Sequence, residues 1–68
     1  MIAHIVELAI AQSIETGRIA HIDAEDEGVD RDELIAALTE LADDTADGDE
    51  FEAWGTDEDG SEWRVHVI

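Results

Sequence analysis

Residues 51–68 read FEAWGTDEDGSEWRVHVI, and this segment decides the fold of the chain. It holds both tryptophans and the only phenylalanine, and so most of the bulk available to a core. On each side of its acidic centre, apolar residues alternate with polar ones, the period-two pattern of a strand with two unlike faces. Gly60, in the centre, can take the left-handed conformation that closes a three-residue loop. The segment therefore predicts a β-hairpin.

The loop sets the register of this predicted hairpin. One face carries the apolar pairs, which are Phe51 with Val67, Ala53 with Val65 and Gly55 with Trp63. The other face sets Trp54 opposite Arg64 and Glu52 opposite His66. An arginine can stack on an indole, and both residue types are frequent in binding hot spots, so Trp54 and Arg64 are candidate contact residues. The alternative is that a helix or a second subunit covers this face and makes Trp54 ordinary core.

The N-terminal segment predicts a helix over residues 2–16, with Gly17 at the position of a left-handed C-cap. Its apolar residues cover roughly 240° of arc, whereas a surface helix needs little more than about 100°. One flank should pack on the sheet, and the other should meet a second helix or a second subunit. Ile10 and Ile14 belong to this wide apolar arc and are predicted partner contacts.

The middle of the chain predicts one further strand and one further helix. Residues 18–24, RIAHIDA, favour a short strand, although the spacing of their isoleucines also suits a helix, and residues 25–28 predict a turn. Asp30 is the predicted N-cap of a helix that ends near Asp44, with Glu33 completing a capping box. Residues 43–49, DDTADGD, predict a polar linker.

Together these elements predict a single α+β domain over residues 1–68, in the order α-β-α-β-β. Two helices should pack on one face of a three-stranded sheet that ends in the C-terminal hairpin. The first strand can pair either with residues 51–56 or with the C-terminal arm of the hairpin.

The charge of the chain predicts its environment. It has 20 Asp and Glu residues against three arginines and no lysine, and its formal net charge is −17. Apolar residues still make up 44% of the chain and fall in periodic blocks, which argues against disorder. Self-repulsion destabilises such a compact state, and less so in molar salt, where the Debye length falls to about 3 Å. The composition therefore predicts a halophilic protein, with an acidic mimic that binds a basic partner as the rival interpretation.

Residues 1–14 are apolar, but they lack a basic start and are too short to cross a bilayer. We therefore expect no membrane association and a cytoplasmic location. Only three basic residues are present, so we also expect no nucleic-acid binding.

The residues that carry catalysis or bind metals do not form a recognisable site in the sequence. The acidic loops lack the glutamate that a helix-loop-helix calcium site needs at its twelfth position, because Leu34 and Trp54 stand there. The histidines have no partner at metal-ligand spacing, there is no cysteine, and no Gly-x-Ser-x-Gly elbow surrounds Ser13 or Ser61. We therefore expect no enzyme activity, no metal and no cofactor.

In composition and in its closing run, GTDEDGSEWRVHVI, the whole chain resembles small acidic haloarchaeal proteins of unassigned function. Residues 28–34, GVDRDEL, are also similar to haloarchaeal output domains attached to sensor proteins. Those domains tend to have proline where this chain has Arg31, and no residue role is carried over. These resemblances and the surplus of apolar surface together predict a noncatalytic interaction module, a homodimer in the cytoplasm of a halophile. The alternative is an output or regulatory domain that binds a protein partner or a small ligand.

Overall fold

The computed structural model describes all residues from 1 to 68, which form three helices and four strands. Their bounds in chain order are α1 Ile2–Thr16, β1 Ala20–Ile22, α2 Ala24–Glu27, α3 Arg31–Leu41, β2 Asp44–Asp47, β3 Phe51–Thr56 and β4 Glu62–Val67. The strands form one mixed sheet in the order β1-β4-β3-β2, with β1 parallel to β4 and the other neighbours antiparallel. Helices α1 and α3 pack on each other and on the strands. The predicted α+β class is confirmed.

The hairpin register is confirmed in every predicted pair, from Phe51 opposite Val67 to Gly55 opposite Trp63. Gly60 has a φ of 83°, in the left-handed region that glycine adopts without steric cost. The Asp57 carboxylate organises the loop, because its Oδ1 accepts hydrogen bonds from the amides of Asp59 and Ser61, both at 2.9 Å. The turn is thus held by an acidic side chain as well as by the glycine.

The helix predicted for residues 2–16 is confirmed, and Gly17 caps it with a φ of 70°. Val6 and Ala9 are buried in the core, while Ile10 and Ile14 are half-buried and pack against it. The wide apolar face contacts α3 on one flank and the strands β1 and β4 on the other. A second helix therefore covers much of the surplus flank, and Leu8 stays 57% exposed.

The predicted turn over residues 25–28 is wrong, because residues 24–27 form the short helix α2. Asp23 caps this helix, because its Oδ1 accepts hydrogen bonds from the backbone amides of Glu25 and Asp26. The prediction of Asp30 as the next N-cap is confirmed, since its Oδ1 accepts the Asp32 amide at 3.0 Å. The helix α3 nevertheless ends at Leu41 rather than near Asp44, because the backbone turns extended at Ala42 to enter the sheet.

The predicted polar linker over residues 43–49 contains the strand β2, so the sheet has four strands and not the three that the sequence predicts. Residues 44–47 pair antiparallel with β3, from Asp44 opposite Trp54 to Asp47 opposite Phe51. This segment is acidic and short, and its pairing comes from the free backbone groups along the edge of β3 rather than from an alternating apolar pattern. The first strand, for which two partners were open, pairs with the C-terminal arm as Ala20 opposite Val65.

One layer of apolar side chains lies between the sheet and the helices. Leu34 and Leu38 of α3 have no exposed surface, and neither have Val65 and Val67 of β4. Gly55 makes room for Trp63, its cross-strand partner, which is buried. A Cβ atom at position 55 would lie 3.1 Å from Cζ2 of this indole and 3.1 Å from the Asp43 nitrogen. The largest core residue thus depends on the smallest residue opposite it.

Candidate binding surface

The outer face of the sheet points away from the helices α1 and α3, and we call it the open face. Strand alternation and register assign nine side chains to it: His21, Asp44, Ala46, Glu52, Trp54, Thr56, Glu62, Arg64 and His66. All of them are exposed or half-buried. Two of the three strand pairs are antiparallel, and antiparallel sheets can leave one face in water, so the open face is compatible with a stable fold and is available to a partner.

Trp54 and Arg64 lie together on the open face, as the hairpin register predicts. The Arg64 guanidinium carbon lies 5.5 Å from the centre of the Trp54 ring, within the range of a cation–π contact. Arg64 Nε also lies 3.4 Å from Glu52 Oε1, and the two side chains are 51% and 30% exposed. Such exposed ion pairs stabilise a fold by only about 0–1 kcal/mol, so this cluster contributes little to stability.

A second cluster on the same sheet joins the imidazoles of β1 and β4. The rings of His21 and His66 have centroids 5.2 Å apart, because these residues are register partners in the parallel pair. Glu50 extends this cluster, with its Oε2 at 2.5 Å from His66 Nε2. No group of three or more His, Cys, Asp or Glu side chains is arranged so that it could hold a metal ion.

The Ser13 hydroxyl, which has no nucleophile motif around it in the sequence, has a structural role. Its side chain is 3% exposed, and its hydroxyl donates to the Arg18 carbonyl oxygen at 2.7 Å. The same Oγ accepts a hydrogen bond from the Arg64 amide at 2.9 Å. The odd-numbered residues of β4 bond to β3, so the Arg64 amide points toward β1, which begins only opposite Val65. Ser13 therefore accepts the hydrogen bond of the Arg64 amide, for which the short strand β1 provides no acceptor.

A cleft of about 500 Å³ opens beside this bridge, where β4 extends beyond β1. It is lined by the end of α1, the connection to β1, and the loop-proximal parts of β3 and β4. Its polar and aromatic lining includes Ser13, Arg18, Trp54, Glu62, Trp63 and Arg64. We call it the tryptophan cleft. A second cleft of about 510 Å³ near the C-terminus includes Asp23, Glu25 and Arg31.

The four sequence-predicted contact residues do not share one surface. Trp54 and Arg64 are brought together on the open face, whereas Ile10 and Ile14 lie in the helix layer and pack against the core. Ser13 and Arg18, which line the tryptophan cleft, are not among the contact residues that the sequence predicts. A signal for Ser13 existed in the sequence: it is a polar residue in line with Val6 and Ala9 on the buried stripe of α1.

No helix is long and apolar enough to cross a membrane. Comparison of the chain with known proteins gave no match to a protein-family model, to a curated protein or to a solved structure.

Proposed function

We propose that this protein is a noncatalytic interaction module of a halophile's cytoplasm that forms a homodimer through the open face of its sheet. The observation that carries the proposal is that Trp54 lies on this face beside Arg64, with both helices on the other side. The face also carries both signs of charge, because Arg64 lies among Glu52, Glu62 and Asp44. A twofold axis sets such a patch against itself, so that the arginine of each copy meets carboxylates of the other.

The dimensions of the open face predict a weak dimer. Four strands spaced about 4.8 Å apart and at most six residues long give a face of roughly 400 Å², or about 800 Å² buried in total by two copies. Stable interfaces bury about 1,200–2,000 Å², so this contact belongs to the weak class and should dissociate on dilution. Indole stacking at the centre of the patch supplies its hot spot.

The charge of the chain adds a salt dependence. Two copies at −17 each repel one another, and this repulsion is strong at low ionic strength. In molar KCl the Debye length is only about 3 Å, so repulsion between charges outside the contact is screened while apolar burial persists. We therefore expect association to strengthen as salt rises, the reverse of the behaviour of a contact between opposite charges.

Sedimentation equilibrium at about 0.2 M and about 2 M KCl tests this proposal, since screening differs strongly between the two. The wild type should dimerise at the higher salt, and Trp54→Ala should be monomeric at the same concentration. Leu8→Ala is the control, because Leu8 is a large apolar residue that is 57% exposed to solvent but lies on α1. A wild type that stays monomeric at high salt contradicts the proposal. Loss of the dimer in Leu8→Ala alone would move the interface to the helix layer.

A second candidate function is a regulatory domain that binds a protein partner or a small ligand. The tryptophan cleft favours the small ligand, because its volume falls within the roughly 300–1,000 Å³ typical of ligand sites and polar groups converge on it. Titration of small anions against the monomeric protein, described next, tests this candidate separately from dimerisation.

A further inference from the structure

We propose that the tryptophan cleft binds a small planar anion, with a flat ring stacked on indole and a single carboxylate or phosphate held by Arg18 and Arg64. This inference gives the second candidate function its ligand class and does not depend on the dimer.

The composition of the cleft is unlike that of the rest of the chain. Two of the three basic residues and both tryptophans line this one cavity, in a protein with 20 acidic residues. Its lining holds two guanidinium groups against one carboxylate, that of Glu62. The second cleft has the opposite balance, with Arg31 beside Asp23 and Glu25. Of these two clefts, only the tryptophan cleft has an excess of positive charge.

The two arginines of the cleft retain donors for a ligand. Arg18 forms no ion pair with any carboxylate of the chain. Arg64 meets Glu52 through Nε at 3.4 Å, and a guanidinium has four further N–H groups on its two terminal nitrogens. A fork of this kind matches the geometry of a carboxylate or phosphate, which a guanidinium can bind through two parallel hydrogen bonds. The arginines therefore select the charged end of the ligand.

The indole of Trp54 selects the other end of the ligand. Trp54 is half-buried and supplies the accessible aromatic surface of the cleft, whereas Trp63 is buried behind it, and the hairpin pairing fixes the position of both residues. Stacking on an aromatic side chain is worth about 1–3 kcal/mol for a nucleobase and does not depend on the identity of the ring. An anion that carries a flat ring should therefore gain more binding free energy in the cleft than an aliphatic anion of the same charge.

The surrounding charge limits the ligand to a small anion. A net charge of −17 repels anions at long range, but screening over about 3 Å in molar salt leaves the groups of the cleft itself dominant. Glu62 lines the cleft and Glu52 contacts Arg64, so a polyanion meets carboxylates as soon as it extends beyond the two guanidinium groups. One carboxylate or one phosphate matches the available donors best.

The test is a titration of ¹⁵N-labelled protein at about 2 M KCl, followed through the two indole N–H signals and kept below the concentration at which it dimerises. The probes are benzoate and adenosine 5′-monophosphate, each paired with its uncharged analogue, benzamide and adenosine. We expect both indole signals to shift when an anion binds. The uncharged analogue should bind at least about tenfold more weakly, because it cannot form the charged hydrogen bonds. The stronger of the two anions identifies carboxylate or phosphate as the preferred group.

Arg18→Gln should weaken binding of the stronger probe about tenfold, while Arg31→Gln, the matched control in the second cleft, should change it by less than about twofold. Arg18 is not part of the open face, so Arg18→Gln should leave the sedimentation behaviour unchanged and keep the two proposals separable. The inference is overturned if neither anion shifts the indole signals at about 10 mM, a concentration above the Kd of even a weak site. Equal binding of benzamide, or equal loss in both variants, overturns it as well.

Discussion

The substitution Ser13→Ala tests the bridge that joins α1 to the hairpin. It removes one hydroxyl and with it two hydrogen bonds, to the Arg18 carbonyl at 2.7 Å and from the Arg64 amide at 2.9 Å. Ser13 is 3% exposed, so only water that enters from the tryptophan cleft could replace the lost partner. The rest of the side chain is unchanged, because serine and alanine differ only by this hydroxyl group.

The magnitude follows from the two groups that are left behind. A buried donor without an acceptor costs about 1–3 kcal/mol, and we assign a cost in this range to the Arg64 amide, which is partly buried beside the tryptophan cleft. The Arg18 carbonyl loses a further bond worth about 0.5–1 kcal/mol, because it lies closer to solvent. Alanine returns about 0.5 kcal/mol through its higher helix propensity. The expected net destabilisation is about 2 kcal/mol, which is about a 30-fold change in the folding equilibrium constant.

The assay is urea denaturation in about 2 M KCl, so that electrostatic repulsion is screened, with tryptophan fluorescence as the signal. The midpoint should fall at an unchanged m-value, since the surface exposed on unfolding is the same. In thermal unfolding the loss corresponds to about 10 °C, because a domain of this size shifts by about 4–8 °C per kcal/mol. Total stabilities are only about 0.05–0.15 kcal/mol per residue, so the effect is a large share of the whole.

Thr39→Ala is the matched control for this substitution. Its hydroxyl also donates to a backbone carbonyl, that of Ile35 at 2.7 Å, but it lies on the exposed side of α3 and its loss leaves no buried donor. We expect a change within about 0.5 kcal/mol, the usual limit for surface substitutions. If Ser13→Ala is no more destabilising than Thr39→Ala, the hydroxyl does not bridge α1 to β4 and the reasoning fails.

Three further outcomes are expected. Gly55→Ala should destabilise by about 1–3 kcal/mol, since its Cβ would lie 3.1 Å from Trp63 and from the Asp43 backbone; a midpoint of urea denaturation equal to that of the wild type would show that the indole can shift freely. Asp30→Ala should cost about 1 kcal/mol through loss of the α3 N-cap, with Asp32→Ala as the control that leaves the cap in place; equal midpoints for the two variants would remove Asp30 from that role. Far-ultraviolet circular dichroism of the wild type should show cooperative structure in molar KCl and partial loss of this structure at about 0.1 M KCl, whereas a signal that is flat across this range would favour the acidic-mimic interpretation.

The hairpin could be predicted to the register because two local signals agree there. The alternation of apolar residues fixes which side chains share a face, and Gly60 fixes the position of the loop, so a one-residue slip would expose the whole apolar set. The caps of α1 and α3 were equally local, at Gly17 and Asp30. The contact between Trp54 and Arg64 followed directly from the register.

The parts that escaped prediction depend on partners distant in sequence or on short acidic segments. The strand β2 has no apolar alternation and exists because the edge of β3 offers unpaired backbone groups. The helix α2 is only four residues long and is hidden in a run of acids, where Asp23 can serve a turn as well as a cap. The tryptophan cleft is lined by two segments that are distant in sequence and come together only in the folded chain. One includes Ser13 and Arg18, and the other includes Trp63 and Arg64. No contiguous sequence motif therefore marks the cleft.

The strand order also has a consequence for how the protein is made. Strands β2, β3 and β4 are consecutive in the chain and can pair locally, whereas β1 must wait for residues 65–67, and Ser13 meets an amide 51 positions further along. During synthesis α1 and β1 emerge first, yet their binding site on the sheet does not exist until β4 has been translated. Local contacts form faster than distant ones, so the C-terminal meander should assemble first and capture the N-terminal helix afterwards. The flank of α1 that packs on β1 and β4 therefore stays uncovered in the nascent chain until the meander is complete, whereas α3, which contacts the other flank, is translated before the meander.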